Sequence, residues 1–436
     1  MKIKGSLAGE YPMVCPQYLK SVKRKFFLAF VFFLAIFISG SVQAQEITDK
    51  HIRFIEYEGF PEGSSAWNSI GYNHTDNTVY VGTTDHRDKV ALYIYNASED
   101  KMRLKGLVTD LANLRQFQWQ AKIHTKFVAG KNGDMYFGTD AGVARQEGRD
   151  NPKGYAGGFI LKWDPKVNEL KNLGAGLQYE SIKDMDIDTA TGKIYAVTSP
   201  KVHFLIYDPT TNDFRDLGRL GSGHVPRMLF TDRWGNCYYV DWRQRLIKYE
   251  KSSGKLLFSA EALPAFEGTP GSSIITGITA FAKDDGKGVI YLVTYGAKMI
   301  AFYPQETGIG RVEDLGGAFD VPGKEKWSYY IPNLNLGNNG KLYYVIGGHG
   351  NYAVKDRSLL VEFDPAIRKP KVVFEYPSTV LVEATGCNTK DKEGNLYFSG
   401  KRNVPKTEKN TGGLGELGYE PTVPFLIKFN PDKMVQ

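Results

Sequence analysis

The chain has 436 residues, with 55 Lys and Arg against 48 Asp and Glu, which gives a formal net charge of +7. Residues 1–44 hold six basic residues and one Glu, and removing that +5 leaves about +2 for the rest. A nearly neutral chain has no global field that attracts nucleic acid, so no nucleic-acid partner is expected.

The first predicted element is a processing segment. Four basic residues between positions 20 and 25 precede an apolar stretch at residues 26–38, and small residues then lead to a cleavage site after Ala44. This order is typical of a secretory signal peptide. The stretch is shorter than the about 20 apolar residues that span a bilayer. We predict a signal peptide with an atypical N-terminal extension at 1–44, and one periplasmic or secreted domain at 45–436 without membrane insertion.

One phrase recurs seven times in that domain. Its first half is a turn followed by a tyrosine that opens an apolar run, at Tyr80, Tyr136, Tyr195, Tyr238, Tyr291, Tyr343 and Tyr397. Its second half is an aliphatic run that ends in an aromatic, at Tyr95, Trp163, Tyr207, Tyr249, Phe302, Phe363 and Phe429. Such runs between turn residues indicate strands, and repeats of this length are typical of propeller blades. The prediction is an all-β, seven-bladed β-propeller.

The last repeat ends after its third strand, and the N-terminal segment can supply the fourth. Residues 51–60 alternate like a strand and have no partner in the first repeat. We expect this segment to complete the last blade and close the ring, which removes an open sheet edge. An irregular N-terminal arm is the alternative.

Propeller topology sorts the histidines by face. The loops that join the fourth strand to the first and the second to the third emerge on one face, called the mouth here. Five histidines are predicted there, namely His86, His124, His203, His224 and His349. The predicted cations and aromatics of the same face include Lys122, Arg227, Trp242, Arg243, Tyr330, Lys401 and Arg402. We expect His86, His224, His349 and these arginines and aromatics to bind substrate.

This combination suits an acidic saccharide. Aromatic rings stack on sugars, guanidinium groups bind carboxylates, and histidine or tyrosine moves protons near neutral pH. In β-elimination from a uronate, Arg219 or Arg227 would neutralise the carboxylate, His124 would be the base, and His203 or a tyrosine the acid. Hydrolysis would need two opposed carboxylates, for which Asp85, Asp140, Asp241 and Glu383 are candidates, so that route stays open.

A metal is the competing use of clustered histidines. No close ligand spacing supports it, and a structural or active-site Ca²⁺ or Zn²⁺ stays open as the one cofactor. The cysteines of the mature chain, Cys237 and Cys387, are predicted to be buried thiols rather than a disulfide framework. The domain is expected to be a monomer.

The chain resembles secreted seven-bladed propeller enzymes that attack uronate-containing glycans, over residues 50–436. It is most similar to the exo-acting family that releases terminal L-rhamnose from glucuronic acid in arabinogalactan side chains, described both as α-L-rhamnosidases and as rhamnose-α-1,4-glucuronate lyases. Propeller ulvan lyases are more distant relatives. The resemblance rests on the repeated phrases, the secretion signal and the placement of histidines.

The resemblance implies two alternative sites. A rhamnosidase-like site would use a lone histidine on the face opposite the mouth, for which His74 fits. An ulvan-lyase-like site would use His124, His203 and Arg219, with His203 in place of the usual tyrosine. An endo-acting uronan lyase and a non-catalytic glycan-binding propeller remain competing hypotheses.

Overall fold

The computed structural model of the chain describes residues 51–85, 87–141, 155–221, 228–264, 277–318, 330–346, 358–377, 380, 382–403 and 422–434. The chain divides into two units, residues 1–45 and 46–436, and all described residues belong to the second. The predicted signal peptide and the predicted site residues His86, His224, Arg227 and His349 lie outside the described residues.

Strands dominate the described part of the chain, which confirms the all-β prediction. Its helical elements are one turn of α-helix, α1 at Val108–Leu111, and 3-10 turns at Gln116–Gln118 and Pro431–Met434. None of its helices is long and apolar enough to cross a membrane.

The described strands form six sheets, five of which are separate blades of four or five strands. The first blade has the order β2 (Ser65–Asn73), β3 (Thr78–Thr84), β4 (Val90–Asn96), β5 (Lys101–Leu107). The second has β6 (Lys122–Ile123) and β7 (Val128–Ala129) both paired with β8 (Met135–Asp140), then β9 (Phe159–Asp164) and β10 (Glu169–Ala175). The third has β11 (Ser181–Ile187), β12 (Ile194–Ser199), β13 (His203–Asp208) and β14 (Asp213–Arg219).

The next two blades also run in chain order. One contains β15 (Phe230–Thr231), β16 (Cys237–Val240), β17 (Arg245–Glu250) and β18 (Lys255–Ala262). The other contains β19 (Ile278–Asp284), β20 (Val289–Thr294), β21 (Lys298–Tyr303) and β22 (Arg311–Gly317).

The sixth sheet has eight strands. It contains β23 (Asn333–Leu336), β24 (Leu342–Ile346), β25 (Leu359–Asp364), β26 (Lys369–Glu375), β27 (Val382–Cys387), β28 (Leu396–Asn403), β29 (Thr422–Phe429) and β1 (Ile52–Glu56). Two runs of four strands are joined because β23 and β27 pair in parallel, Asn333 with Gly386 and Leu334 with Cys387. The propeller is therefore confirmed, but the structure has five separate blades and one double-width sheet, not seven separate blades.

The repeated phrases form the middle of each strand group in a constant register. The tyrosine halves lie in β3, β8, β12, β16, β20, β24 and β28, and the aromatic halves in the strands that follow. In every case the second-half aromatic pairs with the residue before the tyrosine, as in Val79–Tyr95, Met135–Trp163, Ile194–Tyr207, Cys237–Tyr249, Ile290–Phe302, Leu342–Phe363 and Leu396–Phe429. All fourteen aromatic side chains of the phrases are buried.

The N-terminal strand joins the end of the chain. β1 pairs antiparallel with β29, from Ile52 opposite Phe429 to Glu56 opposite Phe425. Ile52 and Ile55 are buried by this pairing. The predicted completion of the last strand group by the N-terminal segment is confirmed.

Both described cysteines are free and buried, as predicted. Burial raises the pKa of the Cys387 thiol to about 12 and raises that of Cys237 further above its ordinary value. These thiols therefore pack as small apolar groups and are not nucleophiles.

Candidate functional site at the mouth of the propeller

A pocket opens on the axis at the mouth, with a volume of about 320 Å³ that includes open solvent. Its walls come from the beginnings of the inner strands or the residues before them, and they comprise Trp67, Asn68, His124, Met228, Thr279, Tyr330, Pro332 and Thr385. His124 and Tyr330 are thus placed together at the mouth, as the sequence predicted.

Irregular inner strands expose these side chains. The register of β2 shifts between Ala66 and Ile70, and Trp67 and Asn68 lie in the shift. Lys183 and Thr279 occupy comparable shifts in β11 and β19. A bulge bends a strand and re-aims a side chain that regular alternation would send elsewhere. His124 lies in the gap between β6 and β7, where the inner strand of the second blade is interrupted.

Both ring nitrogens of His124 contact Lys183 of the next blade. Its Nδ1 lies 3.1 Å from the carbonyl oxygen of Lys183, and its Nε2 lies 2.9 Å from Nζ of the same residue. Since a carbonyl only accepts and an ammonium only donates, this arrangement fits a neutral imidazole with its proton on Nδ1. The lone pair of Nε2 then accepts from the Lys183 ammonium.

Two further cations lie against the ring of Trp67 beside the pocket. Nζ of Lys122 lies 3.7 Å from the centre of its ring, and Nζ of Lys401 lies 5.0 Å from it. These are cation–π distances. Glu383 pairs with Lys401 at 3.3 Å. With Lys183, three ammonium groups lie near a pocket whose lining side chains are neutral, and Glu383 offsets the charge of one of them. The remaining positive charge favours an anionic ligand.

Asn68 supplies a polar group without a partner in the described residues. Its side chain is 9% exposed and its Oδ1 makes no hydrogen bond, while its Nδ2 contacts only the sulfur of Met228 at 3.6 Å. A buried amide oxygen without a donor is costly. A ligand hydroxyl in the pocket would satisfy it.

Deeper on the axis lies a buried ion pair. Nζ of Lys126 donates to Oδ2 of Asp184 at 2.6 Å and to the carbonyl oxygen of Leu229 at 2.9 Å, so it links three blades. Both side chains are at most 5% exposed. Burial raises the pKa of Asp184, and the Lys126 ammonium opposes that shift. This pair forms a polar floor between the mouth and the opposite face.

His203 and Arg219 lie away from the axis. They begin β13 and end β14, the third and fourth strands of their blade, and their backbones pair with each other. At about 4.8 Å per strand, His203 is displaced outward by roughly 10 Å from the inner strand. Nδ1 of His203 lies 2.8 Å from Asp216, and Nε of Arg219 donates to the carbonyl oxygen of Lys201. The predicted grouping of His124, His203 and Arg219 around one substrate is therefore corrected.

The remaining described residues of the predicted site are distributed over the rim. Trp242 is 51% exposed and has the Arg243 guanidinium 4.7 Å from its ring centre. Arg402 of β28 pairs with Glu56 of β1 at 2.9 Å, across the intervening strand β29. Tyr330 is buried in the pocket and contacts the ring of Tyr295, with 5.3 Å between ring centres.

His74 lies on the opposite face, in the turn between β2 and β3, as predicted. Its ring contacts that of Tyr72 edge-on at 4.6 Å. Partial burial and the nearby ammonium of Lys392 lower its pKa, while Asp285 acts in the other direction. Asp285 also lines a cleft of that face, with Arg233, Lys283, Asp284 and Asn388 in its walls.

Trp67, Asn68 and Lys183 were missed by the sequence prediction. The available signal was weak, because each lies inside an inner strand that reads as ordinary apolar and polar alternation. Among the described residues, no three His, Cys, Asp or Glu side chains are grouped so that they could hold a metal ion.

No known sequence family matches this chain, and no curated protein does so either. A solved streptogramin B lyase has a TM-score of 0.54 and 12% sequence identity, over 86% of this chain and 96% of that one. A catalytically inactive virginiamycin B lyase from Staphylococcus aureus with quinupristin has a TM-score of 0.54 and 10% identity, over 86% of this chain and 98% of its own. The RRP9 WD40 repeats reach 0.54 at 9% identity, over 88% and 99%. At such identities the likeness concerns the β-propeller fold alone.

Proposed function

We propose that this protein is a secreted enzyme that cleaves uronate-containing saccharides at the axial pocket of the mouth. The observation that carries this proposal is the His124–Lys183 pair, beside a pocket whose Trp67 ring has the ammonium groups of Lys122 and Lys401 against it. A proton acceptor among cations is what elimination next to a carboxylate requires, because the cations make the neighbouring C–H more acidic.

Each step of β-elimination can be assigned to a residue of this site. Nε2 of His124 takes the proton from C5 of the uronate, and the electron pair of that bond forms the C4–C5 double bond. The bond between C4 and O4 breaks, and O4 leaves with a proton donated by Tyr330. Lys183, Lys122 and Lys401 neutralise the carboxylate throughout.

The substrate proposed is a rhamnose-α-1,4-glucuronate end of an arabinogalactan side chain. Because rhamnose is attached through O4 of the glucuronate, elimination releases free rhamnose and leaves an unsaturated uronate. The small volume of the pocket favours a chain end over the middle of a polymer. An endo-acting uronan lyase would bind along an open groove instead.

Hydrolysis on the opposite face is the second candidate, and the cleft lined by Arg233, Lys283 and Asp285 favours it. His74 would act there. A glycan-binding propeller without turnover is the third candidate, since propellers of similar fold include WD40 repeats as well as lyases.

The test is incubation of the mature protein with gum arabic arabinogalactan, followed by free rhamnose and absorbance near 235 nm. We expect both signals from the native protein. His124→Ala should reduce them by about 100-fold or more, as is usual for loss of a general base. His51→Ala, directly before the edge strand β1, is the matched control.

If the native protein releases rhamnose without new absorbance, and His74→Ala no longer releases it, the reaction is hydrolysis on the opposite face rather than elimination. His203→Ala tests the other candidate acid from the sequence analysis, which left His203 and a tyrosine open. If the native protein and all variants bind the glycan but form no product, the hypothesis of a non-catalytic glycan-binding propeller is favoured.

We also propose that the ring counts seven blades, with two in the eight-stranded sheet. The common register of all seven phrases supports this count, and β23 and β27 share only two residue pairs. An experimental structure with β23 and β27 paired along their full length would contradict it. For secretion, the expected observation is an N-terminus at Gln45 in the exported protein.

A further inference from the structure

We propose that Lys183 is a positioning residue that masks the base His124 in the free protein and releases it when a ligand carboxylate binds. This inference rests on the proposed function for its ligand class, a uronate. It adds a conformational change: Nε2 of His124 becomes available as a base only when a negatively charged substrate is bound.

The bulge in β11 gives Lys183 its position. The register with β12 passes from Ile182 directly to Asp184, so Lys183 lies in the bulge. Ile182 packs in the core and Asp184 binds Lys126, whereas Lys183 is half-buried at the mouth. Its ammonium can therefore reach a ligand in the pocket without disturbing either neighbour.

Lys183 controls both nitrogens of His124. Its backbone carbonyl, 3.1 Å from Nδ1, holds the proton on that side of the ring. Its ammonium, 2.9 Å from Nε2, occupies the only lone pair that could accept a proton. In this state the imidazole is correctly oriented but cannot act as a base.

A carboxylate competes effectively for the same ammonium. A carboxylate carries a full negative charge and attracts the ammonium by Coulomb forces, whereas the imidazole that Lys183 contacts in the free protein is uncharged. Lys122 and Lys401, held at the Trp67 ring, attract the carboxylate to the same pocket. When Nζ of Lys183 turns to the carboxylate, Nε2 is free and the backbone contact to Nδ1 remains.

The consequence is selectivity in the chemical step. A neutral or esterified sugar offers no charge to draw Lys183 away, so it would meet a masked base even when bound. Interactions that differ between bound ligands in this way change kcat rather than KM.

The experiment uses the mature protein with ¹⁵N-labelled histidine, and His124→Ala assigns the ring signals. The probes are glucuronate and its methyl ester, which lacks the negative charge and carries one additional methyl group. We expect glucuronate, but not the ester, to move the Nε2 resonance of His124 towards that of an imidazole nitrogen without a hydrogen bond. Lys183→Met should show the moved resonance before any ligand is added, and glucuronate should change it no further.

Lys298→Met is the control, because Lys298 is also a half-buried strand lysine at the mouth but pairs with Asp314 on an outer strand. Its spectrum should match the native one. Lys183→Leu replaces Lys183→Met if the latter does not fold, because leucine also has no hydrogen-bond donor. An unchanged Nε2 resonance in the Lys183 variant, or equal responses to glucuronate and its ester, would overturn the inference.

Turnover separates this inference from the proposed function. If the protein cleaves the glycan but glucuronate does not change the Nε2 resonance, the masking by Lys183 is rejected and the proposed enzymatic function is retained. A glucuronate response without cleavage of any glycan would keep the masking and reject the enzyme. If both hold, native protein should prefer uronate over its ester in kcat by about tenfold or more, and Lys183→Met should lose most of that preference.

Discussion

At the scale of single residues, two of the recurring tyrosines hydrogen-bond to the turns that precede them. Tyr238 donates to Oδ2 of Asp232 at 2.9 Å, and Tyr397 donates to Oδ2 of Asp391 at 2.6 Å. Each aspartate also accepts from an asparagine side chain two residues before the tyrosine. Burial raises the pKa of both tyrosines, so they remain donors at all physiological pH values.

Tyr397→Phe should lower the free energy of unfolding by about 1–3 kcal/mol, because the buried Asp391 loses a donor to its carboxylate. Tyr376→Phe is the matched control, since the Tyr376 hydroxyl is fully buried and makes no hydrogen bond in the described residues. That change should be neutral or slightly stabilising. Urea unfolding of both variants measures the difference, and equal losses would show that the bond to Asp391 contributes nothing specific.

At the scale of strands, the blades approach closely where the second strand of a blade carries glycine. A Cβ on Gly138 in β8 would lie 2.4 Å from Cγ2 of Ile182 in the inner strand of the next blade. A Cβ on Gly82 in β3 would lie 2.6 Å from Cδ1 of Ile123. These contacts fix the distance between neighbouring blades, and therefore the width of the axial pocket.

Gly138→Ala should destabilise the protein by about 1–3 kcal/mol, because the methyl group requires the adjoining blades to separate. The control is Gly221→Ala, whose Cβ would meet only the Trp242 ring, at 3.9 Å. That variant should be neutral or slightly more stable, since alanine reduces the freedom of the unfolded chain. Thermal unfolding compares them, and a Gly138→Ala protein as stable as the native one would disprove the close packing.

At the scale of the whole ring, closure depends on charges as well as on β1. Asp100, in the turn between β4 and β5 of the first blade, pairs with Arg53 of β1 and lies 3.6 Å from Nζ of Lys428 in β29. Tyr95 also donates to it. One carboxylate thus connects the first blade to the two strands that end the ring.

This closure predicts a dependence of stability on pH. The hydrogen bond from Arg53, with help from Tyr95 and Lys428, lowers the pKa of Asp100 to about 2. The unfolded chain therefore takes up the proton at higher pH than the folded one, so the contribution is complete above about pH 4 and is lost as the pH falls through 2. The melting temperature of Asp100→Asn should be lower than that of native protein at pH 6, and the two should converge near pH 2.

Added salt provides a second measurement for the same pair. Because these charges are partly exposed, the difference between native protein and Asp100→Asn should shrink at high ionic strength. A difference that is constant across pH and salt would mean that Asp100 acts through packing alone.

The strands, their order and the closure of the ring could be predicted from the sequence. Period-two alternation, turn residues and the tyrosine phrases are local patterns, and they recur because each blade solves the same packing problem. It also placed His124, Lys122 and Tyr330 at the mouth, since topology relates position within a repeat to position on a face. The burial of Cys237 and Cys387 followed from their strand context in the same way.

Which side chains meet at the axis could not be predicted from the sequence, because it depends on how neighbouring blades pack. Lys183 reaches His124 because a bulge breaks the alternation of β11, and Trp67 enters the pocket through a similar shift in β2. The same geometry moved His203 and Arg219 outward and joined two strand groups through β23 and β27. Residues from different repeats converge through the small angles between blades and the irregular starts of inner strands, and a local sequence pattern carries no record of either.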